Sequence, residues 1–186
     1  MPARWAIVPF ELIESYIPKT GLIIDIGCGE GVMATLLAIS SPKRKVIGMD
    51  IDNSKIKLGQ SVAQKIVNLS FKSQDILRKN LPNASAFVLS DFLHHIPSTK
   101  HFWILKKLTK SLSKGGVIVV KEIDMKDGIR SKFSHFFDFI FYPTEKVNFI
   151  RSNDLFDSLT QLGLKVKIVK VKKWFPGSTT LFICQK

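Results

Sequence analysis

Leu22-Ile23-Ile24-Asp25-Ile26-Gly27-Cys28-Gly29-Glu30-Gly31 is the stretch on which the reading of the chain turns. The apolar, β-branched run from Leu22 to Ile26 predicts a buried strand, and it breaks into three glycines on alternate positions. Val32 to Ala38 then predicts a helix. Glycine at such a turn takes backbone conformations barred to other residues and lets a ligand come close. The helix that follows opens with N–H groups that have no partner inside it. This is the layout of a binding site as well as of a fold.

Outward from that turn, strands and helices alternate. Lys45 to Asp50 predicts a second strand, and Asp52-Asn53-Ser54 an N-cap region for a helix from Lys55 to about Val67. Leu69 to Lys72 and Ala86 to Ser90 predict strands three and four. Ser98 or Thr99 can cap a helix running to Leu112, which Ser113-Lys114-Gly115-Gly116 stops before strand five, Val117 to Lys121. Upstream, Val8 to Ile17 predicts a short amphipathic helix with Glu11 and Glu14 on its polar side. Downstream come an aromatic helix over Phe133 to Tyr142 and another over Asn153 to Leu162. Leu164 to Val171 and Thr179 to Cys184 then form a hairpin-like pair. The pattern predicts one α/β domain over residues 1–186, its doubly wound sheet parallel except at the end.

Composition narrows the class. At 186 residues the chain can bury a sizeable core, and its hydrophobic content of 45% is that of a globular protein. Its two cysteines, Cys28 and Cys184, do not make a disulfide framework, and Met1 to Val8 has no secretory signal pattern; the expectation is a cytoplasmic protein. No His/Cys/carboxylate cluster has metal-ligand spacing, so no metal is expected. A net charge of +13 admits a nucleic acid, an anionic membrane or a negatively charged substrate as partner. Arginines are few, however, and in Lys165 to Lys173 the lysines alternate with valine and isoleucine as on the wet face of a strand. A solvated lysine-rich surface is therefore preferred, with nucleic acid ranked lower.

The turn is Gly27-x-Gly29-x-Gly31, not the G-x-G-x-x-G of dinucleotide sites. Asp25 and Glu30 flank it, Asp50 ends strand two, Asp75 follows strand three and Asp91 follows strand four. Carboxylates so placed repel a pyrophosphate and favour a cationic, adenosine-containing ligand. Asp50 is placed to accept from both ribose hydroxyls, and Asp75 from an adenine amino group.

On these residues the chain resembles the class I S-adenosylmethionine-dependent methyltransferases, of the small-molecule type. Asp25-Ile-Gly-Cys-Gly-Glu-Gly31, Val46-Ile-Gly-Met-Asp50 and Leu112-Ser-Lys-Gly-Gly-Val117 carry the resemblance, which covers about residues 20 to 123 well. It implies a Rossmann-like seven-stranded sheet with the last strand antiparallel, S-adenosylmethionine as methyl donor and S-adenosylhomocysteine as product. By the same resemblance Asp25 anchors the methionine end, and Gly27, Cys28, Gly29 and Gly31 pack against the cofactor. Asp50 holds the ribose, Ile51 lines the adenine, and Asp75 with Ile76 meets its polar edge. Ser90 and Asp91 lie beside the methionyl amine. The segment of about 124 to 150 stands where the family inserts substrate-covering helices.

Methyl transfer needs alignment, and a base only when the nucleophile is protonated. The candidates are His95, His94 and Glu122, the last expected at the exit of strand five and facing the crevice. His135 and Tyr142 rank below them. Ser90-Asp91-Phe92-Leu93 replaces the Asn/Asp-Pro-Pro-Tyr type of motif that goes with amide or adenine nitrogens. Six of 14 phenylalanines fall between Phe133 and Phe149, and Val171-Lys-Lys-Trp-Phe175 adds a basic-aromatic stretch. The expected acceptor is small and apolar, aromatic or lipid-like, methylated at oxygen or carbon, with peripheral membrane contact a further expectation. RNA methylation through the basic surface, and a cofactor-binding module without chemistry, are the two alternatives.

Overall fold

The computed structural model describes residues 8–123, 150–171 and 179–186. Seven strands form one sheet: β1 (Gly21–Ile26), β2 (Arg44–Asp50), β3 (Leu69–Ser73), β4 (Ala84–Ser90), β5 (Leu112–Ile123), β6 (Lys165–Val171) and β7 (Thr179–Gln185). Their order is β3-β2-β1-β4-β5-β7-β6. β1 to β5 pair in parallel, while β7 runs antiparallel to both β5 and β6. The expected α/β class, strand number and antiparallel ending are all present. β1 pairs with β2 on one side and β4 on the other, so the direction of winding reverses there. A crevice opens at such a reversal, beyond the carboxyl ends of the strands.

The helices are α1 (Phe10–Ser15), α2 (Val32–Ser40), α3 (Asn53–Ala63), α4 (Ser98–Ser111) and α5 (Ser152–Gln161). Strand residues alternate between faces, so each strand feeds two cores. Ile24, Ile47, Phe87, Ile118 and Phe182 pack with Ile104, Leu108, Leu155 and Leu159 of α4 and α5. Ile23, Val46, Val88 and Val119 pack with Ile13, Leu37 and Ile56 of α1, α2 and α3. On this second face one ring fills a slot cleared by glycine. A Cβ at Gly31, Gly48 or Gly59 would come within 2.2, 2.6 and 3.0 Å of the Phe71 ring.

Three local expectations change. α4 follows Pro97, whose φ of −54° and extended ψ lead straight into the helix, and Ser98 is its first residue rather than a cap. β5 starts at Leu112, with 113–116 bulging out of its register with β4. α1 is shorter than the span from Val8 to Ile17, and Glu14 does not lie on a wholly polar side. It turns inward to Arg44, whose Nη1 donates to Glu14 Oε1 at 2.7 Å. The buried guanidinium also donates to the carbonyls of Pro18 (2.7 Å), Ile17 (2.8 Å) and Leu37 (3.0 Å). It thus ties α1 to α2 and to the start of β2.

Partial burial works against the Glu14 charge, yet Lys19 and Arg44 outweigh it and hold the carboxyl below its usual range. Its stabilising effect is present above the unfolded carboxylate value and is lost as pH falls through the lowered one. Glu14→Gln is expected to cost about 2–3 kcal/mol near neutral pH, because Arg44 stays buried without its counter-charge. The difference from wild type shrinks below about pH 4.5. Urea denaturation at both pH values measures it.

Candidate methyl-donor site

The glycine turn is closed by hydrogen bonds to β2. Gly27, Gly29 and Gly31 hold φ of 68°, 55° and 85°, all in the left-handed region. The N–H groups of Gly27 and Cys28 donate to the carbonyl of Met49, at 2.8 and 3.0 Å. The next donor, Gly29 N–H, goes to Asp50 Oδ2 at 2.8 Å, and Asp50 Oδ1 accepts from Asp52 N–H at 2.9 Å. Asp52 in turn caps α3 through Ser54 and Lys55 N–H. Two backbone donors fix the Asp50 carboxylate, and a carboxylate has lone pairs left for a ligand's hydroxyls.

A cavity of about 760 Å³ opens over these groups. Gly27, Gly29, Asp50 and Ile51 line it from β1 and β2, and Asp75 and Ile76 from the exit of β3. Ser90, Asp91, Phe92, His95, Ile96 and Pro97 complete it beyond β4. Asp25 and Cys28 line a small adjoining pocket that shares Gly27, Ser90 and Asp91 with the cavity. Gly31 caps α2 and packs on Phe71, just behind the turn. Cys28 is no nucleophile in this setting. Burial, then Asp25 and Asp50, push its thiol far above the usual range.

Asp75 and Asp91 have different surroundings. Asp75 accepts from Leu77 N–H at 2.8 Å and pairs with Arg78 at 3.2 Å. Asp91 sits at φ 55°, unusual for a residue with a side chain. It is held there from β5: its N–H donates to the carbonyl of Lys121 at 3.1 Å, and its carboxylate pairs with the Lys121 ammonium. Lys121 is 2% exposed, and nothing in the sequence marked it. A buried ammonium in a strand announces itself only through its partner.

Glu122 and His94 stand elsewhere than expected. Neither is among the residues lining the cavity. Residues 121 and 122 point to opposite faces of β5, and Glu122 turns into the core behind the β4 exit. There it accepts from Leu93 N–H at 3.0 Å and from His94 Nδ1 at 2.8 Å. Its side-chain partner is this histidine. His101 of α4, also unmarked in the sequence, sits with Nε2 2.8 Å from the carbonyls of Leu93 and Ile96. The short helical turn Leu93–His95 is thus gripped from β5 and from α4, and of its two adjacent histidines His95 faces the cavity. His135, Tyr142, the aromatic segment and Lys172 to Phe175 lie outside the described residues. Among the described residues no cluster could hold a metal ion.

The lining suits S-adenosylmethionine. Glu30, Asp50, Asp52, Asp75 and Asp91 line the cavity against the single ammonium of Lys55 among the described residues, so a ligand with an ammonium and a sulfonium is favoured over one with phosphates. The left-handed glycines let a ligand approach the turn, and Gln74 Nε2, buried in the cavity wall, has no acceptor among the described residues. Asp50 and Asp75 line the cavity, and Asp25, Ser90 and Asp91 line the adjoining pocket.

Asp50→Ala is expected to weaken S-adenosylmethionine binding tens-fold, on the order of 2–3 kcal/mol, by calorimetry. The substitution removes the ribose acceptor and frees Gly29. Gly27→Ala is expected to weaken it at least as much, since the added Cβ would lie 2.2 Å from the Phe92 ring at a φ of 68°. Both native thiols are expected to resist iodoacetamide at pH 8 (burial pushes Cys184 up to about 12) and to react once denaturant is added.

The comparisons with known proteins agree with this geometry. A methyltransferase-domain model matches residues 19–158. A ribosomal RNA small subunit methyltransferase G from Flavobacterium psychrophilum is 27% identical over 135 residues, 67% of this chain and 64% of that protein. A trans-aconitate 2-methyltransferase from Deinococcus radiodurans is 30% identical over 116 residues, 61% of this chain and 43% of that protein. The chain therefore spans between 43% and 64% of the length of these curated relatives. Among solved structures, magnesium protoporphyrin IX methyltransferase from Synechocystis with bound SAH superposes with a TM-score of 0.75 at 16% identity, over 95% of this chain and 81% of that one. Sheet order, glycine turn, acids and family match converge: the chain belongs to the class I S-adenosylmethionine-dependent methyltransferases.

Proposed function

We propose that this protein transfers the methyl group of S-adenosylmethionine to a small apolar, aromatic or lipid-like acceptor, at oxygen or carbon, in the cytoplasm. The observation that carries the reading is the mixed lining of the cavity. Asp50, Asp75 and Asp91 supply carboxylates, and Phe92, Ile96 and Pro97 supply apolar surface with His95 among them. When bound, S-adenosylmethionine supplies an electrophilic sulfonium methyl.

The chain's own residues supply alignment and a proton acceptor. Asp50 and the glycine turn would hold the donor's sugar and sulfonium end, while Phe92 and Ile96 exclude water from the reacting side. His95, which lines the cavity, takes a proton from a hydroxyl acceptor as the new bond forms. Glu122 and His101 keep the turn that carries His95 in place.

RNA is the second reading, favoured by the ribosomal RNA methyltransferase relative and the charge of +13. A labelled-methyl screen against phenols, quinones, lipids and tRNA separates the two. Transfer to phenols, quinones or lipids is expected; transfer to tRNA alone would replace the first reading with the second. Donor binding with no transfer to any of them would favour a module without chemistry. On the accepted substrate, His95→Gln is expected to lower kcat about a hundredfold while donor affinity stays within about twofold. Unchanged turnover would remove His95 from the reaction.

A further inference from the structure

The outward face of α4 has a composition that neither the fold nor the donor site requires. From Phe92 to Lys121 the chain has no acidic residue, and α4 carries Lys100, Lys106, Lys107 and Lys110. The inward side is used by the core through His101, Ile104, Leu105 and Leu108. That leaves Phe102, Lys106 and Lys110 on one outer ridge, four residues apart, and Trp103 and Lys107 on the next. Phe102 is 39% exposed and Trp103 46%. The Lys107 ammonium lies 4.6 Å over the Trp103 ring and donates to the carbonyl of Ile76 at 2.6 Å. Lys186 adds a cation at the far end, donating to the carbonyls of Thr109 and Leu112. Asp75, the acid near Lys107, is already paired with Arg78.

We propose that this face docks the protein on an anionic membrane surface. Exposed aromatic rings flanked by lysines suit the headgroup layer: the rings enter it, and the lysine stems lie along it with their charges at the phosphates. Nucleic acid fits less well. The face offers point charges without an arginine fork, and Lys107 occupies one side of the Trp103 ring on which a base could stack. Placement supports the choice, because α4 springs from Pro97 and is bonded through Lys107 to Ile76, both lining residues of the cavity. Docking would set the cavity beside the bilayer that holds a lipid-like acceptor. Only this last consequence rests on the proposed function.

The test is co-sedimentation of the full chain with vesicles of equimolar phosphatidylcholine and phosphatidylglycerol, or of phosphatidylcholine alone, at low and high salt. Binding to the anionic vesicles is expected, weakening with salt. The exposed pairs Phe102→Ser/Trp103→Ser and Lys106→Ala/Lys110→Ala are each expected to lower it by on the order of tenfold, with circular dichroism unchanged. Lys57→Ala/Lys65→Ala removes the same charge from the α3 side and is expected to leave it within about twofold. Failure of the folded wild type to sediment would overturn the proposal, as would an equal loss in the α3-side control. Binding to tRNA, lost in the same α4 variants without any vesicle binding, would reassign the face to nucleic acid. No turnover is measured, so failure here leaves methyl transfer standing, and a failed acceptor screen leaves docking standing.

Discussion

A single carboxylate joins the two parts of the structure that matter most. Asp50 ends β2, the glycine turn ends β1, and the 2.8 Å bond from Gly29 N–H to Asp50 closes the gap between them. Without an acceptor, an N–H in a turn of left-handed glycines would compete with any ligand for water, and the turn would lose its shape. With it, an acid that lines the cavity also sets the shape of the glycine turn. Asp52 extends the same chain of bonds to the start of α3. Donor affinity and the order of this corner of the fold are therefore coupled.

The opposite wall depends on β5. Lys121 and Glu122 are neighbours in sequence, and the pleat sends them to opposite faces, one to Asp91 and the other to Leu93 and His94. One strand end thus grips a short turn from both sides. A buried ion pair is poor evidence of stabilisation, since desolvation offsets much of the attraction, but it does fix geometry. Asp91 at positive φ and His95 at the cavity are where such fixing has an effect.

The readable parts of the chain were those whose causes are local. Strand, glycine turn and helix were legible because period, β-branching and glycine spacing act within ten residues. Asp52 was legible as a cap because a cap bonds two or three positions on. The acids at the strand exits were legible because a parallel sheet brings its carboxyl ends together whatever the helices do. What escaped was pairing across the sheet. Arg44 with Glu14, Lys121 with Asp91 and Glu122 with His94 lie 28 to 30 positions apart, and nothing in either partner's neighbourhood names the other. Glu122 shows how such a reading fails: its place at the exit of β5 was right, and one step of the pleat sent it into the core. The Phe71 slot escaped for the same reason, since Gly31, Gly48 and Gly59 come from three different elements.

The distribution of charge separates what the site needs from what the surface shows. A chain of net charge +13 would repel a cationic donor unless its negative groups were gathered where that donor binds. Asp25, Asp50, Asp75 and Asp91 lie at adjacent strand ends, although the chain has only 15 acidic residues. Lys121 tempers Asp91 and Arg78 tempers Asp75, whereas Asp50 accepts from two backbone N–H groups, those of Gly29 and Asp52. An N–H is a dipole and brings no cation of its own to the cavity. Lys55 lines the cavity and Lys121 pairs with Asp91 in its wall, while other lysines lie away from it, on the outer ridges of α4 and along the edge strand β6. That segregation lets one small domain attract a cation into its crevice and present the opposite sign to its surroundings.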